Sequence, residues 1–125
     1  MGDRDESWPT EIRLKKDRRS LVVRFDDGAE FDLPAELLRV LSPSAEVQGH
    51  SPEQRQTVGG KIGVAISAVD PVGNYAVRLT FSDGHDTGLF SWSYLRRLGN
   101  ERERLWADYL ADLEAKGLGR SPPSR

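Results

Sequence analysis

The chain has 125 residues, of which 37% are hydrophobic and 30% charged, with a net charge of -2 and no cysteine. This length suits one domain and not two, and the charge balance attracts neither phosphate backbones nor anionic lipid, so no nucleic-acid or membrane partner is expected. Missing thiols exclude disulfides, thiolate metal ligands and thiol nucleophiles, while the short uncharged stretch 62–69 and the charged residues 1–9 predict neither a bilayer span nor a signal peptide, hence a cytoplasmic location.

Residues 1–8 are acidic and polar and read as a flexible N-terminus before Pro9-Thr10. Ile12 and Leu14 alternate with charged neighbours, Lys15-Lys16-Asp17-Arg18-Arg19 reads as a solvated turn, and Leu21-Val22-Val23 begins a second strand. Asp26-Asp27-Gly28 after Phe25 is a hairpin signal, because Asp-Gly tolerates the positive φ angles of tight primed turns; residues 29–33 then return as a third strand. Pro34 suits the first turn of a helix, where its missing N–H would be unpaired anyway, and Leu37, Leu38 and Leu41 share one face until Ser42-Pro43 stops it.

Residues 44–60 have no apolar period and predict a long irregular segment. Ile62, Val64 and Ile66 alternate within 61–69, and Tyr75, Val77, Leu79 and Phe81 do so beyond the 70–74 turn, predicting an antiparallel pair. Ser82-Asp83-Gly84 is a second Asp-Gly hairpin signal with a short return strand through Phe90. Ser91 then N-caps a short helix with Trp92, Leu95 and Leu98 buried and Gly99 at its left-handed C-cap.

Asn100 with Glu103 forms a variant capping box, and Leu105, Trp106, Tyr109, Leu110 and Leu113 make the apolar stripe of a helix ending at Gly117. The stripe docks on the sheet or serves as a dimer surface. Gly119, Pro122 and Pro123 mark residues 118–125 as a disordered tail. The fold expected is α+β: a small, mainly antiparallel sheet of five or six short strands, two short helices and a C-terminal amphipathic helix. Its divisions are 1–8, 9–99, 100–117 and 118–125.

The halves echo each other. Phe25 corresponds to Phe81, Asp27-Gly28 to Asp83-Gly84, Leu33 to Leu89 and, with one inserted residue, Leu38-Arg39 to Leu95-Arg96. A hairpin–helix unit used twice accounts for this, as does the general preference of hairpins for Asp-Gly.

Few residues suggest catalysis. His50, His85 and Asp86 supply the types for a two-histidine, one-carboxylate metal site, but lack the usual spacing, and adjacent strand residues point to opposite faces. A turn histidine bonded to local backbone explains His85 more simply. No serine stands in a nucleophile elbow, and neither histidine has a specific partner in sequence. Gly59-Gly60-Lys61 lacks the rest of a phosphate loop, since Ile62 follows where Ser or Thr is needed.

Three blocks carry a family resemblance: Leu33-Pro-Ala-Glu-Leu-Leu-Arg-Val-Leu-Ser-Pro-Ser-Ala-Glu-Val-Gln-Gly-His50, Asp70-Pro-Val-Gly-Asn-Tyr-Ala-Val-Arg78, and Phe81-Ser-Asp-Gly-His-Asp-Thr-Gly-Leu-Phe-Ser-Trp-Ser-Tyr-Leu95. Across about 9–99 the chain resembles the gamma-butyrobetaine hydroxylase-like N-terminal domain, a small bacterial domain of unknown function. The resemblance implies a module found alone, ahead of oxygenase domains, or joined to P-loop ATPases of iron–sulfur cluster assembly. It also implies a structural zinc held by a Cys-x-Cys-x-x-Cys run and a later histidine, positions that fall here on Ser42, Ser44, Val47 and His85. Three thiolates are thereby lost, and hydroxyls and an isopropyl group do not replace them. Oxygenase chemistry is not carried over, because a helix and tail follow Gly99.

The leading expectation is therefore a non-catalytic module without cofactor that binds a protein partner, an accessory of iron–sulfur assembly or of metal-dependent enzymes. Its surface would comprise Arg39, Ser42, Ser44, Glu46, Gln48, His50, Gly84 and His85. One alternative is a zinc or iron protein using His50, His85 and Asp86; another is a structural homodimer built on the last helix.

Overall fold

The computed structural model describes residues 8–49 and 55–122. Among them lie six strands and four helices: β1 (Pro9–Leu14), β2 (Ser20–Phe25), β3 (Glu30–Pro34), α1 (Ala35–Val40), α2 (Ala45–Gln48), β4 (Ile66–Val72), β5 (Ala76–Phe81), β6 (Leu89–Ser91), α3 (Trp92–Asn100) and α4 (Arg102–Ala115). The fold is α+β, and its antiparallel strands divide into two sheets ordered β1-β2-β3 and β4-β5-β6.

The alternation of β2 and β5 puts Leu21, Val23 and Phe25, and Val77, Leu79 and Phe81, into one shared core with Leu33, Phe90, and Leu37, Leu38, Leu95 and Leu98 of the helices. Removing these side chains from water is the main stabilising contribution, about 2 kcal/mol for each large aliphatic or aromatic group. The β1–β2 turn ties the sheets together. Arg18 adopts φ 62, its carbonyl accepts the Ile66 N–H at 2.7 Å, and its guanidinium donates to the Ser67 carbonyl at 2.9 Å. No helix among the described residues is long and apolar enough to cross a membrane.

The two halves are structurally equivalent, each being three strands followed by a helix. Gly28 and Gly84 take φ 91 and 92, and their N–H groups donate to Phe25 and Phe81 carbonyls at 3.0 and 2.9 Å. The correspondence of Leu33 with Leu89 is corrected. Leu33 pairs with Leu21, Phe90 pairs with Val77, and both Leu33 and Phe90 are fully buried, whereas Leu89 is 43% exposed. Leu33 therefore matches Phe90, and the inserted residue lies before β6, in the segment that carries His85.

The halves also grip each other reciprocally. Arg39 of α1 donates to Asp83 of the second Asp-Gly turn at 2.8 Å, and Arg96 of α3 donates to both Asp27 oxygens of the first at 3.1 and 2.9 Å.

Other local expectations change. The strand expected over 61–69 begins only at Ile66, and Ile62 is 42% exposed in a turn. Within 44–60, the capping and loop-closing role open to Ser42, Ser44 and Glu46 is met, with Ser44 accepting the Glu46 N–H, but it starts a short helix, α2, where an irregular segment is expected. Gly99 lies inside α3, which extends to Asn100 and is C-capped by Glu101. The glycine is required because a Cβ would collide with the Phe31 ring. Asn100 consequently does not cap α4, whose N-cap is Glu101 without a side-chain hydrogen bond.

The last segment differs from the expected disordered tail over 118–122. Gly60 and Ile62 donate N–H groups to the carbonyls of Gly119 and Arg120, and the Arg120 guanidinium grips buried Glu36 at 3.0 and 2.7 Å. A buried carboxylate partner outweighs the local Gly and Pro signals. Residues 1–7 and 123–125 lie outside the described residues.

Candidate interaction site

Ser42, Ser44 and His85 meet where the α1–α2 connection crosses the β5–β6 loop, and all three are buried. The Ser42 hydroxyl lies 2.9 Å from His85 Nε2, while His85 Nδ1 lies 3.1 Å from Glu46 Oε1. A carboxylate only accepts, so the neutral ring carries its proton on Nδ1 and Nε2 accepts from the Ser42 O–H. Ser42 Oγ in turn accepts the Ser44 N–H at 3.2 Å, and Ser44 Oγ pairs with Thr87 Oγ1 at 2.6 Å. Gln48 closes the loop by donating to the Ser42 carbonyl at 2.9 Å.

The partners of the His85 ring are thus distant side chains, a correction to the local-backbone reading. Only its main chain is bonded locally, with N–H to Asp83 Oδ1 at 3.0 Å and the carbonyl accepting the Phe81 N–H. Burial, reinforced by the Arg39 charge, pushes the His85 ring below its ordinary value, and Glu46 and Asp83 offset this only in part. The neutral ring fits the hydrogen bonds it makes.

Beside it, Asp83 receives Arg39 Nε at 2.8 Å and Lys61 Nζ at 2.6 Å. Burial alone would raise this carboxyl, but Lys61, the His85 amide and Arg39 together hold it well below the usual carboxylate range. Arg39 is mostly buried, and its Nη1 has no hydrogen-bond partner among the described residues.

Of the expected surface, Arg39, Ser42, Ser44, Glu46, Gln48 and His85 belong to this network or border it. Gly84 supplies the turn, and His50 lies outside the described residues. Buried Ser42, Ser44 and His85 hold the loop, leaving Glu46, Asp86 and Thr87 as exposed groups on its rim. Sequence reasoning missed Thr87, Asp83 and Lys61 as partners. It also missed Gly88, on which a Cβ would collide with Ser42 Oγ.

The pseudo-equivalent contact in the other half pairs Gly99 with Phe31, so one site holds a serine against a glycine and the other a glycine against an aromatic ring. Phe31 there stacks edge-on with Phe25 under the Arg96 guanidinium. One half thus closes with a polar network and the other with aromatic packing.

The zinc positions implied by the resemblance, Ser42, Ser44, Val47 and His85, are all buried, but their donors do not fit that ion. Both hydroxyls and both ring nitrogens are engaged with protein groups, and Val47 offers no donor. Among the described residues no group of three or more His, Asp or Glu is placed to hold a metal. For the alternative set, His85 is turned inward while Asp86 is exposed.

The line Ser42–His85–Glu46 has the order of a hydrolytic triad, which the sequence did not reveal. Its serine is fully buried beside Gly88 and already accepts a backbone N–H, leaving no approach for a substrate carbonyl.

A family model described as gamma-butyrobetaine hydroxylase-like, N-terminal, matches residues 12–96. Two NMR solution structures are each 47% identical to the chain, with TM-scores of 0.80 and 0.81. The first covers 95% of this chain and 94% of its own, the second 99% and 92%. A crystal structure of a protein of unknown function of the DUF971 family from Acidithiobacillus ferrooxidans is 46% identical, with a TM-score of 0.61, covering 73% of this chain and 91% of its own. No curated protein matches.

Proposed function

The chain belongs to the gamma-butyrobetaine hydroxylase-like, N-terminal family, and we propose that it acts as a non-catalytic, cofactor-free interaction module of the cytoplasm. It binds a protein partner through the rim of the 42–50 loop and the Gly84 turn, and not nucleic acid or membrane. The observation that carries this reading is the Ser42–His85–Glu46 network: buried Ser42 and His85 bond each other, His85 reaches exposed Glu46, and together they hold a loop in shape, as a binding scaffold requires. Exposed Glu46 and Asp86 favour a basic face on the partner. The setting, as an accessory of iron–sulfur assembly or of metal-dependent enzymes, rests on the family resemblance alone.

The test is affinity capture from native cytosol with the full chain, compared with Asp86→Ala and Asp86→Lys variants that leave the buried network intact. A specific protein retained by the parent and lost by the variants supports the module. Equal capture by all three chains, or no specific protein with any of them, contradicts it.

A further inference from the structure

The α4 arm makes a second, smaller cluster outside the shared core, in which Tyr109 and Leu113 pack on Val40 with Val58 and Trp106 alongside. Its polar ties converge on one stretch of the body. Tyr109 donates to the Val58 carbonyl at 2.5 Å, Lys116 to Thr57 Oγ1 at 2.6 Å, and Arg120 to Glu36 at 3.0 and 2.7 Å. Burial, with the Glu36 charge, pushes the Tyr109 phenol up to about 12, as expected of a hydroxyl seated in the groove.

Only one non-helical residue, Glu101, separates α3 from α4. Bonds of helical spacing already enter and leave it: its N–H donates to Arg97 and its carbonyl accepts from Leu105, both at 2.9 Å. With φ -111 and ψ 18, it stands about 50–60° from helical values in each of these two angles. A helical Glu101 would fuse Trp92–Asn100 and Arg102–Ala115 into one rod of roughly 36 Å. The arm would then leave its own groove, and a short hinge of this kind favours exchange between copies because the packing and hydrogen bonds given up in cis form again in trans.

We infer that the groove formed by Glu36, Val40, Thr57 and Val58 accepts the α4 arm of a second copy, giving a domain-swapped homodimer with Glu101 as hinge. The occupant is the same chain because the complementary chemistry is that of its own arm: an apolar stripe followed by a cation that reaches a buried carboxylate. This is independent of any partner at the 42–50 loop.

The experiment uses two full-length charge-reversal variants, Glu36→Arg and Arg120→Glu. Alone, each opposes like charges at the groove, in cis or in trans. Mixed, a swapped heterodimer regains an opposite-charge pair at both grooves. Sedimentation and fluorescence transfer between separately labelled variants should show a dimer fraction about tenfold above that of either variant alone. A mixture holding only monomers overturns the inference. If either variant does not fold, two labelled batches of the unsubstituted chain are refolded together: mixed dimers support exchange, and monomers alone overturn it.

Discussion

Arg39 and Asp83 form the more enclosed of two reciprocal ties: the pair is held at 2.8 Å with side chains only 12% and 21% exposed, against 24% and 45% for Arg96 and Asp27. Each helix thus grips the turn of the other half, and the first grip is the better shielded from solvent and salt. Arg39→Ala should destabilise the protein by about 2 kcal/mol in urea unfolding, because the Asp83 carboxylate then loses a charged donor in a partly buried setting. Arg96→Ala should have a smaller effect that fades with added salt. Equal losses would contradict this asymmetry.

Acid should act on His85 before the carboxylates. Its folded value lies below the ordinary 6.5, so the unfolded chain binds the proton more readily. The ring's contribution is complete above 6.5 and declines as pH falls from there through the folded value. Asp83 follows the same sign at lower pH: its contribution is present above 3.8 and is lost as pH falls through its depressed value. Urea unfolding between pH 8 and pH 5, compared with a His85→Gln variant, should show a loss of stability in the parent that the variant lacks. Parallel curves would refute it.

Two glycines are dictated by space, one in each of the two pseudo-equivalent contacts. Gly88→Ala should destabilise by about 1–3 kcal/mol by driving a methyl group into Ser42 Oγ, and Gly99→Ala by a similar amount against the Phe31 ring. Ser42→Ala removes the obstructing oxygen, so the Gly88→Ala penalty should shrink in that background. Additive penalties in thermal unfolding would argue against the contact.

Alkali should loosen the C-terminal arm. The Tyr109 phenol is pushed up to about 12, so its contribution is full below the ordinary value of 10.0 and is lost as pH rises towards 12. Tyr109→Phe should cost about 1 kcal/mol at neutral pH through the hydrogen bond to Val58, and should abolish that alkaline decline. A variant with unchanged stability and pH profile would remove the phenol from this role.

The strands and helices were legible wherever local chemistry and burial agree: the two Asp-Gly turns, the alternation of β5, and the leucines of α1 and α3. Legibility failed where a distant group decides. Gly99 reads as a helix stop until Phe31 is seen against it, and 118–122 read as a tail until Glu36 and Gly60 are found there. At the candidate site the loop was legible, but the His85 ring partners were not, because Ser42 and Glu46 reach it from the far side of β4 and β5 in the chain. The faint internal echo proved more informative than its length suggested, once the extra residue was placed in the His85 loop.

A neutral His85, bonded to Ser42 and Glu46, holds the loop on which the proposed function rests. The chain has two histidines, so nitrogen NMR of the imidazole rings, assigned with a His50→Gln variant, reads this directly. At pH 7 the expected result is a neutral His85 ring protonated on Nδ1, with an acceptor Nε2 and a spectrum unchanged by a strong chelator. A charged ring at that pH, or nitrogen shifts characteristic of a metal bond that vanish on chelation, would contradict it.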